Sequence, residues 1–146
     1  GNIAYVDAHY ADYNFTDSNG NPGTFSGNTP PNVPRVVANA GTSYRFATPI
    51  GSTNWPVELG ITGRHVGDRT NTDANTVTLK AYTVADVYAF VDLPKAIFNA
   101  AEQTRVTFRI RNIADKSYAI WGDPFYPTQV LLGAPRTYEM SVAFRW

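Results

Sequence analysis

The chain of 146 residues contains no cysteine, only three lysines beside nine arginines, and no long apolar run. Without cysteine it can form neither a disulfide, nor a thiolate metal site, nor a cysteine nucleophile. No stretch reaches the roughly 18 apolar residues of a membrane helix, which excludes helical spans only. The formal net charge is zero, so composition gives no support for a nucleic-acid partner or for an anionic membrane surface.

Residues that bind metals are scarce as well. His9 and His65 are the only imidazoles, and neither has a carboxylate at helical spacing, so we expect a structural role for both. The stretch "DSNGNPG" places Asp17, Asn19 and Asn21 at the first ligand positions of a calcium loop. Proline replaces the glycine that such a loop requires, and we interpret the stretch as a turn. The sequence therefore predicts no metal site.

Catalytic patterns are equally weak. Ser26 in "GTFSG" is displaced by one position from a nucleophile elbow, and no phosphate-cradling glycine-lysine run is present. Asp68, Asp73 and Asp86 could pair as acid and base, but their spacing gives no reason to expect a raised pKa. We therefore predict a protein that is not an enzyme and that has no cofactor.

The sequence does contain a series of strand-like segments, separated by clusters of glycine, proline, asparagine and aspartate. Each has about ten residues, longer than the usual soluble strand of about 5 to 6 and close to the roughly 9 to 11 that cross a bilayer at a tilt. Their length favours a membrane barrel. The six segments lie near residues 2–13, 35–46, 56–66, 82–93, 104–113 and 136–146.

Alternation of side chains is clearest in the last two segments. One face of "RTYEMSVAFRW" carries Tyr138, Met140, Val142, Phe144 and Trp146, and the other carries Thr137, Glu139, Ser141, Ala143 and Arg145. In "TRVTFRIRN" the apolar residues Val106, Phe108 and Ile110 oppose Arg105, Thr107, Arg109 and Arg111. The faces of segments 2–13 and 82–93 stay ambiguous. A soluble sandwich strand would also alternate, so this pattern leaves both architectures open.

The connections alternate between long and short. Residues 14–34, 67–81 and 114–135 are long and turn-rich, whereas 47–55 and 94–103 are shorter. A meander with long loops at one end and short turns at the other is the layout of outer-membrane barrels. Aromatic residues are predicted at the strand ends, as in the aromatic girdles of such barrels. They are Tyr10, Tyr13, Tyr44, Phe46, Trp55, Phe144 and Trp146.

Four stretches carry a resemblance to a known family: "PPNVPRVVANAGTSYRF", "GRHVGDRTNTDANTVTLKAYTVADVYAFVDL", "RIRNIADKSYAI" and "GAPRTYEMSVAFRW". In this order and spacing they resemble the C-terminal part of TonB-dependent outer-membrane receptors, especially the ferric-siderophore group. The resemblance covers nearly all of residues 28–146. It implies an all-β fold, an antiparallel transmembrane β-barrel meander in the bacterial outer membrane. Residues 1–146 would supply about six C-terminal strands of a 22-stranded barrel, with the plug domain absent from this chain.

The same resemblance implies import of a ferric siderophore or similar metal chelate, energised through TonB. The other expected partners are the protein's own plug domain, outer-membrane lipid and the barrel assembly machinery, which would read Phe144 and Trp146 as an assembly signal. Ligand contact is expected from aromatic residues of the extracellular loops, namely Phe25, Tyr118, Trp121, Phe125 and Tyr126. The lumen or plug would be faced by Glu58, Arg64, Arg105, Arg109, Arg111, Glu139 and Arg145.

Two alternatives remain at this stage. A soluble β-sandwich ligand-binding module would bury residues 136–146 between two stacked sheets. It would place polar groups where the barrel has its lipid-facing residues Val106, Phe108, Ile110, Val142 and Phe144. A glycan-processing β enzyme would require a pair of carboxylates flanking a cleft. The packing of the last strand separates the first of these from a barrel.

Overall fold

The computed structural model describes residues 1–93 and 103–146, and every regular element among them is a β-strand. No helix in these two ranges is long and apolar enough to cross a membrane. The strands are β1 (Asn2–Tyr5), β2 (Asn14–Thr16), β3 (Pro22–Thr24), β4 (Val36–Ile50), β5 (Thr53–Val66), β6 (Arg69–Thr70), β7 (Thr78–Leu79), β8 (Tyr82–Leu93), β9 (Gln103–Arg111), β10 (Ala119–Gly122), β11 (Val130–Leu132) and β12 (Thr137–Arg145).

Six strands form one sheet in the order β1-β4-β5-β8-β9-β12, so the long strands follow one another as a meander. The β1–β4, β8–β9 and β9–β12 pairs are antiparallel. A two-residue turn at Gly51 and Ser52 joins β4 to β5, and such a short connection permits only an antiparallel pair. Three small sheets, β2–β3, β6–β7 and β10–β11, lie in the long connections. The predicted all-β antiparallel meander is confirmed.

Several predicted boundaries were wrong. The first segment was expected over residues 2–13, but β1 ends at Tyr5, and the Tyr10 and Tyr13 rings therefore lie in a loop rather than at a strand end. Beyond the bond from the N–H of Val6 to the carbonyl of Arg35, the chain pairs elsewhere, and the N–H of Tyr10 donates to the carbonyl of Asn28 at 2.9 Å. By contrast β4 and β5 are longer than expected, so the turn predicted over residues 47–55 shrinks to two residues. Trp55 accordingly lies inside β5. Most of the predicted connection 94–103 falls outside the described residues.

The chain divides into two compact units. The first comprises Gly1–Asn39, Arg64–Thr83 and Ser117–Gly133, and holds β1 and the three small hairpins. Its buried side chains include Val66, Leu79 and Tyr82. The second comprises Ala40–Gly63, Val84–Lys116 and Ala134–Trp146. It holds β9, β12 and most of β4, β5 and β8.

Strand register assigns the faces of the second unit, including those of β8 that the sequence left ambiguous. Val87, Ala89 and Val91 lie opposite Ile110, Phe108 and Val106, so they share the apolar side. We name two faces by their residues. The apolar face consists of Val87, Ala89, Val91, Val106, Phe108, Ile110, Tyr138, Met140, Val142 and Phe144; the charged face consists of Arg45, Glu58, Tyr88, Phe90, Asp92, Arg105, Arg109, Arg111, Glu139 and Arg145.

The apolar face is open to its surroundings. Tyr138 is 70% exposed and Met140 66% exposed on β12, and Phe108 of β9 is exposed as well. A sandwich core would bury these side chains against a facing sheet. The exposure of β12 in the described structure therefore argues against the soluble sandwich.

A glycine marks a close approach on the charged face. A Cβ atom at Gly60 would overlap Cζ of Tyr88, so the tyrosine ring occupies the space above this residue. Gly63, three residues further along β5, has no such neighbour, because a Cβ there would meet only the Val84 and Ala40 carbonyl oxygens at 3.9 and 4.0 Å. The Tyr88 ring thus packs directly against the backbone of Gly60.

We expect Gly60→Ala to lower the free energy of unfolding of the full-length protein by about 1–2 kcal/mol relative to Gly63→Ala, because the ring of Tyr88 must move away from residue 60. Both substitutions add the same methyl group to the same strand, so their intrinsic strand propensities cancel. Denaturant titration in detergent micelles measures the difference. Equal stability of the two variants would show that the ring position costs nothing to change.

Candidate functional site

The centre of the charged face is a three-residue network around Glu58, which is buried. Arg45 donates to Oε2 of Glu58 from Nε at 3.0 Å and from Nη2 at 2.7 Å. The hydroxyl of Tyr88 donates to Oε1 at 3.1 Å. Both carboxylate oxygens are therefore occupied, and the charge-assisted bonds fix β4, β5 and β8 to one another.

A second network continues along the same face. Arg105 forms a fork with Asp92, Nε donating to Oδ1 at 2.7 Å and Nη2 to Oδ2 at 2.9 Å. Its guanidinium carbon lies 4.0 Å from the centre of the Phe90 ring, and that of Arg45 lies 5.7 Å from it. Cations above an aromatic ring are attracted by its electron-rich face. The ring of Phe90 therefore connects the two arginine networks through its contacts with both guanidinium groups.

The remaining cations of the face differ in their pairing. Arg111 bonds Glu139 at 2.7 Å. Arg109 lies in register between Tyr88 and Glu139, and Arg145 lies opposite Gln103. Neither of these two arginines has an ion pair within the described ranges.

The structure thus places most of the predicted lumen-facing residues together. Glu58, Arg105, Arg109, Arg111, Glu139 and Arg145 all lie on the charged face. Arg64 belongs to the first unit, where it is exposed. Sequence reasoning missed Tyr88, Phe90 and Asp92, because aromatic residues on a polar face hide the alternation of β8. The one indication in the sequence was Asp92, a charged residue that could pair with Arg105 and so mark the polar face of β8.

In the first unit the loops are joined by asparagine side chains. Asn75 accepts the N–H of Thr29 at 2.9 Å and donates to the carbonyl of the same residue at 2.8 Å. Asn32 does the same to Gly122, at 2.9 Å and 2.8 Å. Each side-chain amide therefore bonds both the N–H and the carbonyl of one residue in another loop, as a neighbouring β-strand would do. Both asparagines have positive φ, 54° and 62°, a conformation that asparagine tolerates better than most residues.

Further bonds join the same loops. The hydroxyl of Tyr10 donates to Oδ1 of Asp73 at 2.6 Å, and this bond raises the pKa of Tyr10 to about 12, because it stabilises the protonated phenol beside a carboxylate. Arg69 donates to the carbonyl of Ala119 at 2.7 Å, and Asn71 donates to that of Pro127 at 3.1 Å. These bonds therefore fix residues 10–32, 69–75 and 119–127 to one another, and we call this part of the first unit the loop body.

The predicted ligand-contacting aromatics divide into two groups. Phe25 stacks on Phe15 with ring centres 4.4 Å apart, and Tyr118 lies 4.4 Å from the ring of Tyr82, so both are engaged in loop packing. Phe125 is 87% exposed and Tyr126 63% exposed, and Trp121 on the adjoining β10 is also exposed. The carboxylate of Asp123 holds this turn by accepting the N–H groups of Phe125 and Tyr126 at 2.8 and 3.0 Å.

The aspartates considered as catalytic candidates have separate structural partners. Asp68 accepts the N–H of Ala81, Asp73 accepts the hydroxyl of Tyr10, and Asp86 accepts the N–H of Asn112. Within the described ranges no group of three or more metal-binding side chains gathers in one place.

The turn at Asp17 has the structure that was expected of it. The carboxylate of Asp17 accepts the N–H of Asn19 at 2.9 Å and that of Asn21 at 2.8 Å. The side-chain amide of Asn21 donates to Oδ2 at 3.1 Å, and this bond, together with the two backbone bonds, lowers the pKa of the Asp17 carboxyl because it stabilises the ionised form. The local sequence therefore forms the predicted turn, which the Asp17 carboxylate stabilises.

Comparison with known proteins identifies the family. A family model described as TonB dependent receptor-like, beta-barrel, matches residues 2–113. The chain belongs to this family of TonB-dependent receptor β-barrels. The relation accounts for the antiparallel meander and for its two contrasting faces.

Two similar proteins show how much of a receptor this chain represents. The ferrichrome outer membrane transporter/phage receptor of Escherichia coli (strain K12) is 28% identical over 147 residues, which cover 100% of this chain and 17% of that protein. The crystal structure of BauA, the ferric preacinetobactin receptor from Acinetobacter baumannii, superimposes with a TM-score of 0.66 and 23% identity, over 82% of this chain and 16% of that one. This second likeness concerns the fold alone. The chain thus spans about a sixth of the length of these receptors.

We expect Asn75→Ala to lower the free energy of unfolding of the full-length receptor by about 2–3 kcal/mol, since it removes the two bonds to Thr29 and those to the carbonyls of Thr72 and Asp73, and places alanine at positive φ. Hydrogen exchange at the amide of Thr29 should accelerate, because that amide loses its acceptor. Asn14→Ala is the matched control: Asn14 is exposed and its side chain bonds Asp12, two residues away, so exchange at Thr29 should not change. Unchanged exchange in Asn75→Ala would contradict the role given to this side chain.

Proposed function

We propose that this chain is the C-terminal barrel portion of an outer-membrane receptor that imports a ferric siderophore or similar metal chelate, energised through TonB. The observation that carries the proposal is a single sheet with one apolar and one charged face, in a chain of the TonB-dependent receptor family. A sheet of a soluble protein would bury its apolar face under a second layer, whereas the apolar face of this sheet is exposed among the described residues, as in a wall between hydrocarbon and water. The substrate class follows the two receptors to which the chain is similar, whose names specify ferrichrome and ferric preacinetobactin.

In this proposal the apolar face contacts outer-membrane lipid and the charged face lines the lumen. The Glu58 and Asp92 networks hold the wall rigid, because they use their carboxylates within it. Arg109 keeps its charge available for the plug domain, which occupies the lumen in this family. A plug carboxylate opposite Arg109 would gain a charge-assisted hydrogen bond away from bulk water.

The edges of the sheet require further strands of the same receptor. Within the described residues β12 pairs on one side with β9, and β1 pairs on one side with β4. Unpaired backbone groups cost several kcal/mol each in hydrocarbon, so an open edge in a bilayer is far less stable than a closed ladder. We propose that both edges pair with barrel strands encoded upstream. The stacked rings of Phe144 and Trp146, 6.2 Å apart at the end of β12, would then be read by the assembly machinery.

Ligand contact is assigned to the exposed turn at Phe125 and Tyr126. Flat or hydrophobic chelates stack well on aromatic rings, and these two residues are exposed on a turn whose backbone N–H groups bond the Asp123 carboxylate. Phe25 and Tyr118 already pack within the loops and would support the body rather than meet the ligand.

A panel of ferric chelates titrated against the full-length receptor tests the proposal. We expect one chelate to bind, and the double variant Phe125→Ser, Tyr126→Ser to weaken it about tenfold, as expected for the loss of two ring contacts. Leu131→Ser is the matched control, since Leu131 is an exposed apolar residue of the same hairpin without a ring, and its binding should stay within about twofold. Failure of every ferric chelate to bind would overturn the substrate class. Equal binding by the double variant would remove the turn from the ligand site.

A further inference from the structure

A cavity of about 580 Å³ lies within the first unit, at the loop-side ends of β4 and β5. Its wall includes two arginines, a histidine, one carboxylate and several hydroxyl groups. Among them are Arg35, His65, Asp68, Arg69, Thr70 and Thr78. None of its wall residues belongs to the exposed turn at Phe125 or to the charged face, and the proposed function gives the cavity no role.

Arg69 is an unusual residue for such a wall. It is only 4% exposed, and its Nη1 atom is buried without a hydrogen-bond partner in the described structure. Its other contacts are neutral: Nη2 donates to the carbonyl of Ala119 at 2.7 Å, and the guanidinium carbon lies 5.7 Å from the Tyr82 ring centre. Burying a cation without a counter-charge is costly, so an anion in this cavity would stabilise the folded loops.

The second arginine adds to this excess of positive charge. Arg35 is exposed at the entrance to β4, and neither Arg35 nor Arg69 takes part in an ion pair among the described residues. The carboxylate on the wall, Asp68, accepts the backbone N–H of Ala81 instead. Two cations against one carboxylate leave the cavity with a net positive charge.

The neutral groups of the wall are suited to the same kind of ligand. The hydroxyls of Thr70 and Thr78 can donate hydrogen bonds to a tetrahedral anion. The ring of His65 is held through Nδ1, 2.9 Å from the hydroxyl of Thr83. Two guanidinium groups offer paired N–H donors, which match the oxygens of a phosphate group better than a lysine ammonium does.

We propose that this cavity binds a phosphate-class oxyanion between Arg35 and Arg69. A phosphate group carried by a lipid headgroup and one carried by a small soluble molecule present the same oxygens to this wall. Bound there, the anion neutralises the buried Arg69 and stabilises the loop body that this residue helps to join. It binds independently of the ferric chelate.

Isothermal titration calorimetry on the full-length receptor in detergent tests the site, with inorganic phosphate in one arm and short-chain dihexanoyl phosphatidic acid in the other. We expect saturable binding that Arg35→Gln and Arg69→Gln each weaken about tenfold or more. Lys80→Gln is the matched control, because it removes one positive charge from the same loop at an exposed residue outside the cavity wall. It should leave binding within about twofold. If Arg69→Gln fails to fold, the exposed Arg35→Gln variant carries the test.

The two arms also identify the source of the anion. Tighter binding of the phosphatidic acid supports the site and assigns it to a lipid headgroup, and equal or tighter binding of inorganic phosphate supports it and assigns it to a soluble phosphate. Absence of binding in both arms overturns the proposal. So does binding that Lys80→Gln weakens as much as Arg35→Gln, since this would show only a general attraction to positive charge.

Discussion

The structure depends on one constraint: each long strand must present alternate side chains to two different media. The register of β8, β9 and β12 places Val91, Val106 and Val142 in one row and Asp92, Arg105 and Ala143 in the row behind it. A shift of one residue between two strands would turn every arginine of the moved strand toward the apolar side. The same strand register therefore produces both the ion pairs of the charged face and the exposed apolar face.

The charged face and the loop body are stabilised by different kinds of polar contact. On the charged face, long side chains bond across neighbouring strands, as in the Arg45–Glu58 and Arg105–Asp92 pairs, so the wall is stabilised by its own polar surface. In the loops, where no strand partner is available, short amides bond backbone groups directly, as Asn75 does to Thr29. The loops therefore acquire a fixed arrangement from hydrogen bonds rather than from a large apolar core.

The sequence predicted what depends on local alternation and missed what depends on distant partners. The faces of β9 and β12 follow from residues 104–113 and 136–146 because their apolar and polar residues alternate strictly. The faces of β8 did not, since Tyr88 and Phe90 lie beside charged neighbours. The asparagine bonds join residues 46 and 90 positions apart, and no local pattern could indicate them. The first segment was taken too far because Tyr10 resembles a strand residue while its hydroxyl bonds Asp73.

Site-directed spin labelling along β12 tests the two-sided wall most directly, and the absence of cysteine from this chain makes it straightforward. Single cysteines at residues 140, 141, 142 and 143 of the full-length receptor, freed of any other cysteine and reconstituted in lipid, would be labelled one at a time. The account predicts that labels at 140 and 142 are accessible to oxygen dissolved in the bilayer, and that labels at 141 and 143 are shielded from it. Equal oxygen accessibility at all four positions would contradict it.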